Sequence, residues 1–168
     1  DDITPEWLTA ALRAGGRAGD CTVTAIEKVT IGQGVGILGE LARLTPTYSA
    51  AGPNTPKTLI AKIPTADPGG RGIAQMLGFY EKEVRFYAEV GDTIGVRTAH
   101  NYFAAGDPAN VRYVILMEDL GGLALGDQVA GASVDECRLL VAEIARLHAR
   151  WWTTPALDAL DWLPAVNS

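Results

Sequence analysis

Glycine occupies every second position in Thr30-Ile31-Gly32-Gln33-Gly34-Val35-Gly36, between two segments with the composition of β-strands. Residues 22–30 are rich in β-branched side chains, and residues 38–48 follow as the expected hairpin partner. Taken alone, such a run is a weak signal, and a flexible hairpin turn explains it better than a binding loop does. The elements that follow it along the chain therefore decide its meaning.

A lysine stands inside the next apolar run, Leu59-Ile60-Ala61-Lys62-Ile63, which we interpret as a strand over residues 58–63. A charge between apolar neighbours costs free energy unless it meets a phosphate or a carboxylate. The alternative is an edge-strand lysine whose stem lies along the sheet and whose ammonium reaches water. Lys62 is thus a candidate binding residue.

A carboxylate weakens the alternative reading of Lys62. Residues 73–90 carry apolar side chains at helical spacing, and the stripe that includes Glu83 is formed by Phe79, Phe86 and Val90. An acidic residue on a buried helix face needs a cation, so we expect Glu83 to pair with Lys62. Glu81 is the alternative partner.

The remaining segments complete an α+β fold. Thr4 and Pro5 begin a helix that Gly15-Gly16 end, residues 67–70 are a loop, and Ser133 caps a long helix over 134–152. The predicted core is a five-stranded antiparallel sheet with the helix 73–90 packed against it. Its strands are expected at residues 22–30, 38–48, 58–63, 96–103 and 111–116, with a turn at 105–108.

The order of these elements resembles the N-terminal part of the aminoglycoside phosphotransferase and choline kinase group, and most closely its ecdysteroid-kinase-like branch. The segments that carry the resemblance are 32–40, 59–62, 80–87, 114–120 and 147–152. They extend over almost the whole chain, and their order is far more specific than any one of them.

The resemblance implies a protein-kinase-like N-lobe over residues 1–120, with its hinge at 117–121. Residues 121–168 would then be the start of a C-lobe, including its first helix. Members of the group continue into a His-Gly-Asp catalytic loop with a following Asn and, later, a metal-binding Asp. None of these occurs in this sequence, so no catalytic residue is assigned.

ATP is the cofactor that the resemblance implies, with Mg²⁺ expected for the full-length enzyme only. Only backbone without side chains comes close to a triphosphate, so Gly32, Gly34 and Gly36 would let residues 33–37, Gln33 and Val35 among them, donate N–H groups to it. Lys62, held by Glu83, would contact the α- and β-phosphates. The adenine contacts would come from Ile31 and Ala61, which stack on the ring, from Met117, which faces the pocket, and from the Glu118 carbonyl and Leu120 N–H at the adenine edge.

Two functions of different class follow. The first is an ATP-dependent phosphotransferase acting on a small-molecule hydroxyl, present here as its ATP-binding lobe. The second is a non-catalytic nucleotide-binding or interaction module. A third reading, a generic α+β domain without nucleotide, predicts that Lys62 and Glu83 lie far apart. The first two leave the C-lobe face of helix 134–152 uncovered and open to self-association.

Composition limits the partners. The net charge of −6 argues against nucleic-acid and anionic-membrane surfaces, which need clustered Lys and Arg. Cys21 and Cys137 form no disulfide framework, and the first residues lack the pattern of a signal peptide, so we expect a cytoplasmic chain. His100 and His148 are interpreted as packed rather than catalytic, and Asp161 as part of a packing tail.

Overall fold

The structure is a computed structural model that describes residues 3–32, 38–124, 126–127 and 129–163. The chain forms two compact units. The first contains Asp1–Gly91 and Ala99–Asp119, and the second contains Asp92–Thr98 and Leu120–Ser168. The predicted division into lobes at residue 120 stays a prediction.

Helix α1, Pro5–Gly15, opens the first unit and begins where the sequence predicted. The Thr4 hydroxyl accepts a hydrogen bond from the Trp7 N–H at 3.2 Å, and Gly16 ends the helix in the left-handed conformation with φ 69°. The helix buries Leu8 and Leu12 completely. Through these two leucines, α1 packs against one face of the sheet.

The five-stranded sheet is antiparallel throughout, which confirms the predicted α+β architecture of a kinase-like N-lobe. The strands are β1 Thr22–Ile31, β2 Gly39–Ala50, β3 Leu59–Pro64, β4 Asn101–Asp107 and β5 Arg112–Glu118. Their spatial order in the sheet is β1-β2-β3-β5-β4.

Strand β4 corrects the predicted range 96–103, because it begins at Asn101. The backbone before it is engaged elsewhere within the second unit: the Trp151 indole N–H donates to the Ile94 carbonyl at 2.9 Å, and the Arg150 guanidinium donates to the Thr93 carbonyl at 2.5 Å. The predicted turn also shifts, since Asp107 caps a short 3₁₀ helix, Pro108–Asn110, and the strand runs through Gly106.

The predicted helix 73–90 is interrupted. Helix α2, Pro68–Met76, begins inside the predicted loop because the Asp67 carboxylate accepts a hydrogen bond from the Gly70 N–H at 2.6 Å. Gly78, with φ 65°, separates it from α3, Phe79–Arg85, which continues as a π-helical turn, Phe86–Val90. Glycine adopts this left-handed conformation at little cost, and the apolar periodicity across it concealed the break.

The two faces of the sheet have different surroundings. Pairing across β2, β3 and β5 aligns Leu41, Lys62 and Ile115, so these three point to one face, which we call the site face. The opposite face packs under α1 in the main apolar core. Its sheet members are Val23, Ala42, Leu44, Leu59, Ala61 and Leu116.

The second unit contains helix α4, Val134–Trp151, which begins at the predicted cap. Ser133 and Glu136 form a capping box, in which each side chain satisfies the backbone N–H of the other. The apolar side chains of this segment are exposed, among them Val134, Leu139, Leu140, Val141, Ile144 and Trp152. Self-association through them stays a prediction. Among the described residues, no helix is long and apolar enough to cross a membrane.

Candidate functional site

The Lys62 ammonium and the Glu83 carboxylate lie 2.5 Å apart, as the sequence predicted. Each side chain is about one third exposed (33% and 34%), so the pair is at the border of the core and is reachable from solvent. The third reading of the sequence predicted that these residues lie far apart, and the observed distance contradicts it.

The helical reasoning behind this pair was wrong by one position. The buried face of α3 is formed by Tyr80 and Val84, each 8% exposed, whereas Phe79 is 43% exposed. Glu83 therefore lies beside the buried stripe, not within it. The pair joins β3 to α3 across 21 positions of sequence.

A cavity of about 420 Å³ adjoins the ion pair within the first unit. Lys62, Lys82 and Glu83 are its charged lining residues. Its other walls are largely apolar and aromatic, and include Leu38, Gly39, Tyr80, Val84 and Ile115. Two lysines at an apolar cleft are a suitable setting for an anionic group.

The described part of the glycine-rich run ends at Gly32, directly after β1. Gly32 has φ 67°, a left-handed conformation in which a side chain is strained. Gln33, Gly34, Val35 and Gly36 lie outside the described residues, so their predicted phosphate contacts stay predictions. The described backbone resumes at Leu38, whose carbonyl accepts a hydrogen bond from the Tyr80 hydroxyl at 2.7 Å.

Gly39 makes room for the lysine. A Cβ at this position would lie 3.2 Å from the Lys62 Cε and 3.4 Å from the Ile63 carbonyl oxygen. The aliphatic part of Lys62 therefore passes directly over the Gly39 backbone. A side chain at Gly39 would require the Lys62 side chain to give way by a few tenths of an ångström.

Gly39→Ala is expected to displace the Lys62 ammonium while leaving the sheet folded, because the added methyl meets a flexible side chain. An off-rotamer lysine costs about 0.5–1.5 kcal/mol, which corresponds to roughly two- to tenfold weaker ATP binding in calorimetry. Gly72→Ala is the matched control, since a Cβ there meets nothing within 4 Å. Equal ATP affinity of the two variants would contradict the role of Gly39.

The predicted adenine residues divide between the two faces. Met117 pairs with Ile60 and Ile31 pairs with Leu41, so all four lie on the site face with Lys62. Ala61 does not. It is 1% exposed in the core under α1, because neighbouring residues on a strand point to opposite faces. The assignment of Ala61 beside Lys62 was wrong, and Ile60 takes its place on the site face.

The two predicted hinge residues, Glu118 and Leu120, belong to different units. Glu118 ends β5, its N–H donates to the His100 carbonyl at 2.8 Å, and its carboxylate accepts from the His100 N–H at 3.1 Å. Leu120 belongs to the second unit, where its carbonyl accepts from the Leu123 N–H at 2.9 Å. The adenine contacts predicted for both residues stay predictions.

Sequence analysis missed an ion pair at the β5 end of the site face. The Arg43 guanidinium donates to both carboxylate oxygens of Asp119, at 2.7 Å and 3.3 Å, and the Asp119 side chain is only 10% exposed. The hydrogen bond to Asp119, and then its negative charge, raise the pKa of Arg43 above its ordinary value. The pair connects β2 to the segment after β5 across 76 positions of sequence.

Burial perturbs two tyrosines near the pair. Desolvation raises the pKa of Tyr87, and the negative charge of Glu83 raises it further. Desolvation likewise raises the pKa of Tyr113, with added contributions from Glu81 and Asp107. Both hydroxyls therefore stay protonated at neutral pH and are hydrogen-bond donors rather than bases.

The two histidines lie in different settings. His100 is half-buried against Tyr102, with the ring centroids 4.8 Å apart, as its interpretation as a packed residue predicted. His148 is exposed on α4, so its interpretation as a packed residue was wrong. Within the described part of the chain, no group of three or more His, Cys, Asp or Glu side chains is placed to hold a metal ion.

The fold and site have the architecture of a kinase-like N-lobe: an antiparallel five-stranded sheet, a strand lysine and a paired helix glutamate. Residues 33–151 match the model of the ecdysteroid kinase-like family. The match covers well over half of the chain, and the chain belongs to this family, which confirms the resemblance drawn from the sequence. Searches of curated proteins and of solved structures found no match.

Proposed function

We propose that this chain binds ATP on the site face and is the nucleotide-binding lobe of a phosphotransferase that acts on a small-molecule hydroxyl. The observation that carries the proposal is the Lys62–Glu83 pair, which lines one cavity together with Leu38 and Gly39, the first described residues after the glycine-rich run. In kinases, a paired lysine of this kind orients the phosphates of the nucleotide. Membership of a kinase-like family supports the same conclusion.

The residues present fit a triphosphate. Lys62 and Lys82 supply positive charge at the cleft. Ile31, Leu41, Ile60 and Met117 offer an apolar surface on the same face for the base. When bound, ATP would supply the phosphoryl group. The chain's own part is to neutralise and orient the phosphates.

Magnesium fits the chain less well. Its usual ligands are carboxylate oxygens and water, and the described residues place no three acidic side chains together. The Asp119 carboxylate is already engaged by Arg43. We therefore assign no metal ligand to this chain and expect Mg²⁺ to matter for a full-length enzyme.

The alternative, a non-catalytic nucleotide-binding or interaction module, shares the ATP site and differs in turnover. The absence of a His-Gly-Asp motif from the 168 residues favours it for this chain taken alone.

We also propose a cytoplasmic location, since Cys21 and Cys137 are both free. We further propose that residues 1–120 are the N-lobe, with its hinge at 117–121, and that residues 121–168 are the start of a C-lobe.

The purified 168-residue chain is expected to bind ATP weakly and to transfer phosphate at no rate above background. Phosphoryl transfer needs a group that positions or deprotonates the acceptor, in addition to phosphate clamps. Calorimetry with ATP and release of labelled phosphate measure the two properties separately. Absence of ATP binding would contradict the proposed function.

If the wild-type chain transfers phosphate and the Lys62→Met variant does not, the expected lack of activity is wrong. The search for a catalytic acid would then turn to Asp119, Asp127 and Asp161. Asp127 accepts hydrogen bonds from the Val129 and Ala130 N–H groups, which hold its pKa below the ordinary value. An aspartate held in this state is ionised at neutral pH and has no proton to donate.

A further inference from the structure

A second cavity, of about 690 Å³, lies within the first unit on the face of the sheet that packs under α1. Ile63 of β3 and Val114 of β5 both line it. Each stands two residues from a core residue of its own strand, Ala61 and Leu116, so it points to the same face as that residue. Lys62 points to the opposite face, and this cavity is therefore distinct from the candidate nucleotide site.

One end of this second cavity is apolar and aromatic. Trp7 of α1 and Phe103 of β4 both line it, and their rings meet edge to face with centroids 6.0 Å apart. Both side chains are partly buried and pack against the main core, as does Ile3, which also lines the cavity. Aromatic rings that are held from one side and open to a cavity on another suit an apolar ligand chain.

The other end carries two guanidinium groups. Arg71 of α2 lines the cavity and donates to the Val111 carbonyl at 2.9 Å, which places its guanidinium at the connection between β4 and β5. Arg112, also a lining residue, follows Val111 and lies opposite Asp107 in the strand register. Strand β4 extends about 13 Å from Phe103 to Asp107 at the usual rise per residue. The apolar and cationic parts are thus opposite ends of one elongated space.

Two carboxylates also line the cavity, and hydrogen bonds from the chain engage both. The Glu40 carboxylate accepts from the Ala66 N–H at 2.7 Å. The Asp107 carboxylate accepts from the backbone N–H and the side-chain amide of Asn110, at 3.3 Å and 2.7 Å. Within the described part of the chain, Arg71 donates one hydrogen bond, although a guanidinium has several N–H groups. The remaining capacity at this end is therefore mainly that of donors, which favours an anionic ligand group.

We propose that this cavity binds a small amphiphilic carboxylate, whose apolar chain lies against Trp7 and Phe103 and whose carboxylate meets Arg71 and Arg112. The planar guanidinium group matches the two oxygens of a carboxylate. A neutral molecule of the same length would fill the apolar end and leave the guanidinium groups without an anionic partner. Affinity should therefore depend on the charge of the ligand. The proposed site needs no bound nucleotide.

Calorimetry with octanoate tests this site, and octanol is the neutral ligand of equal chain length. The wild-type chain is expected to bind octanoate roughly tenfold more tightly than octanol, because hydrogen bonds to a charged group are the stronger ones. Arg71→Met and Arg112→Met are each expected to reduce this preference severalfold. Arg112 is exposed, so its replacement keeps the fold even if loss of the contact between Arg71 and Val111 disturbs it.

Arg138→Met is the matched control, since it removes an equal charge from an exposed side chain of the second unit. It is expected to keep the wild-type preference for octanoate. Absence of octanoate binding by the wild-type chain overturns the proposal, and so does equal affinity for octanoate and octanol. An unchanged preference in both Arg71→Met and Arg112→Met also overturns it, because the carboxylate then binds elsewhere. These measurements contain no ATP, so their failure leaves the proposed function as it stands.

Discussion

ATP is expected to raise the melting temperature of this chain and to lose that effect when Lys62 is replaced by methionine. Methionine keeps most of the length and apolar stem of lysine and removes only the charge. A hydrogen bond to a charged group is worth about 1.5–3 kcal/mol, so ATP affinity should fall roughly 10- to 150-fold. Thermal shift and calorimetry with ATP measure the change directly.

The control for this variant is Lys57→Met, which removes an equal charge from an exposed position before β3. It is expected to keep the ATP response of the wild-type chain. An equal ATP-dependent shift in Lys62→Met and wild-type chain would show that Lys62 has no part in nucleotide binding. Glu83→Gln adds a second check, since it should weaken ATP binding less than loss of the ammonium does.

The parts of the fold that local signals determine could be predicted from the sequence. Thr4 and Pro5 begin α1, and Ser133 with Glu136 begin α4, because a cap is chosen by the residues next to it. Strands β1 to β3 combine β-branched or apolar runs with clear turn residues between them. Their predicted and observed ends differ by at most two residues.

Where tertiary contacts compete with local preference, prediction failed. Residues 96–100 have a strand-like composition, but the neighbouring Thr93 and Ile94 carbonyls accept hydrogen bonds from Arg150 and Trp151, distant residues of the same unit. The apolar spacing of 73–90 continues through Gly78, whose left-handed backbone breaks the helix. Periodicity records which side is apolar and contains no information on that break.

In the candidate site, too, some residues could be predicted from the sequence and others could not. Lys62 and Glu83 could be recognised because a charge in an apolar setting needs a partner. Strand alternation should have excluded Ala61, since it stands next to Lys62, and should have favoured Ile60. The Arg43–Asp119 pair and the Tyr80–Leu38 hydrogen bond join segments distant in sequence, and only the observed sheet register brings them together.

The site face depends on how well the opposite face is packed. Strand β5 carries Ile115 and Met117 on the site face and Leu116 in the core under α1. Strand β4, its neighbour at the sheet edge, is approached by the end of α1. That approach is close at Gly15, where a Cβ would lie 1.7 Å from the Tyr102 carbonyl oxygen.

Gly15→Ala is therefore expected to destabilise the chain strongly. The clash is with backbone atoms, which cannot turn aside as a side chain does, so α1 or β4 has to move. Overpacking of this kind costs about 3 kcal/mol, a large share of the 5–15 kcal/mol that typically holds a domain folded. Urea unfolding followed by circular dichroism measures the difference.

The matched control is Gly16→Ala, one residue further along the chain. Gly16 has φ 69°, but a Cβ there meets nothing within 4 Å, so alanine suffers only the backbone strain of about 1 kcal/mol. If Gly15→Ala costs no more than Gly16→Ala, α1 does not rest against β4 as closely as described. A larger cost, together with weaker ATP binding by the folded fraction, would connect the packing of α1 to the geometry of the site face.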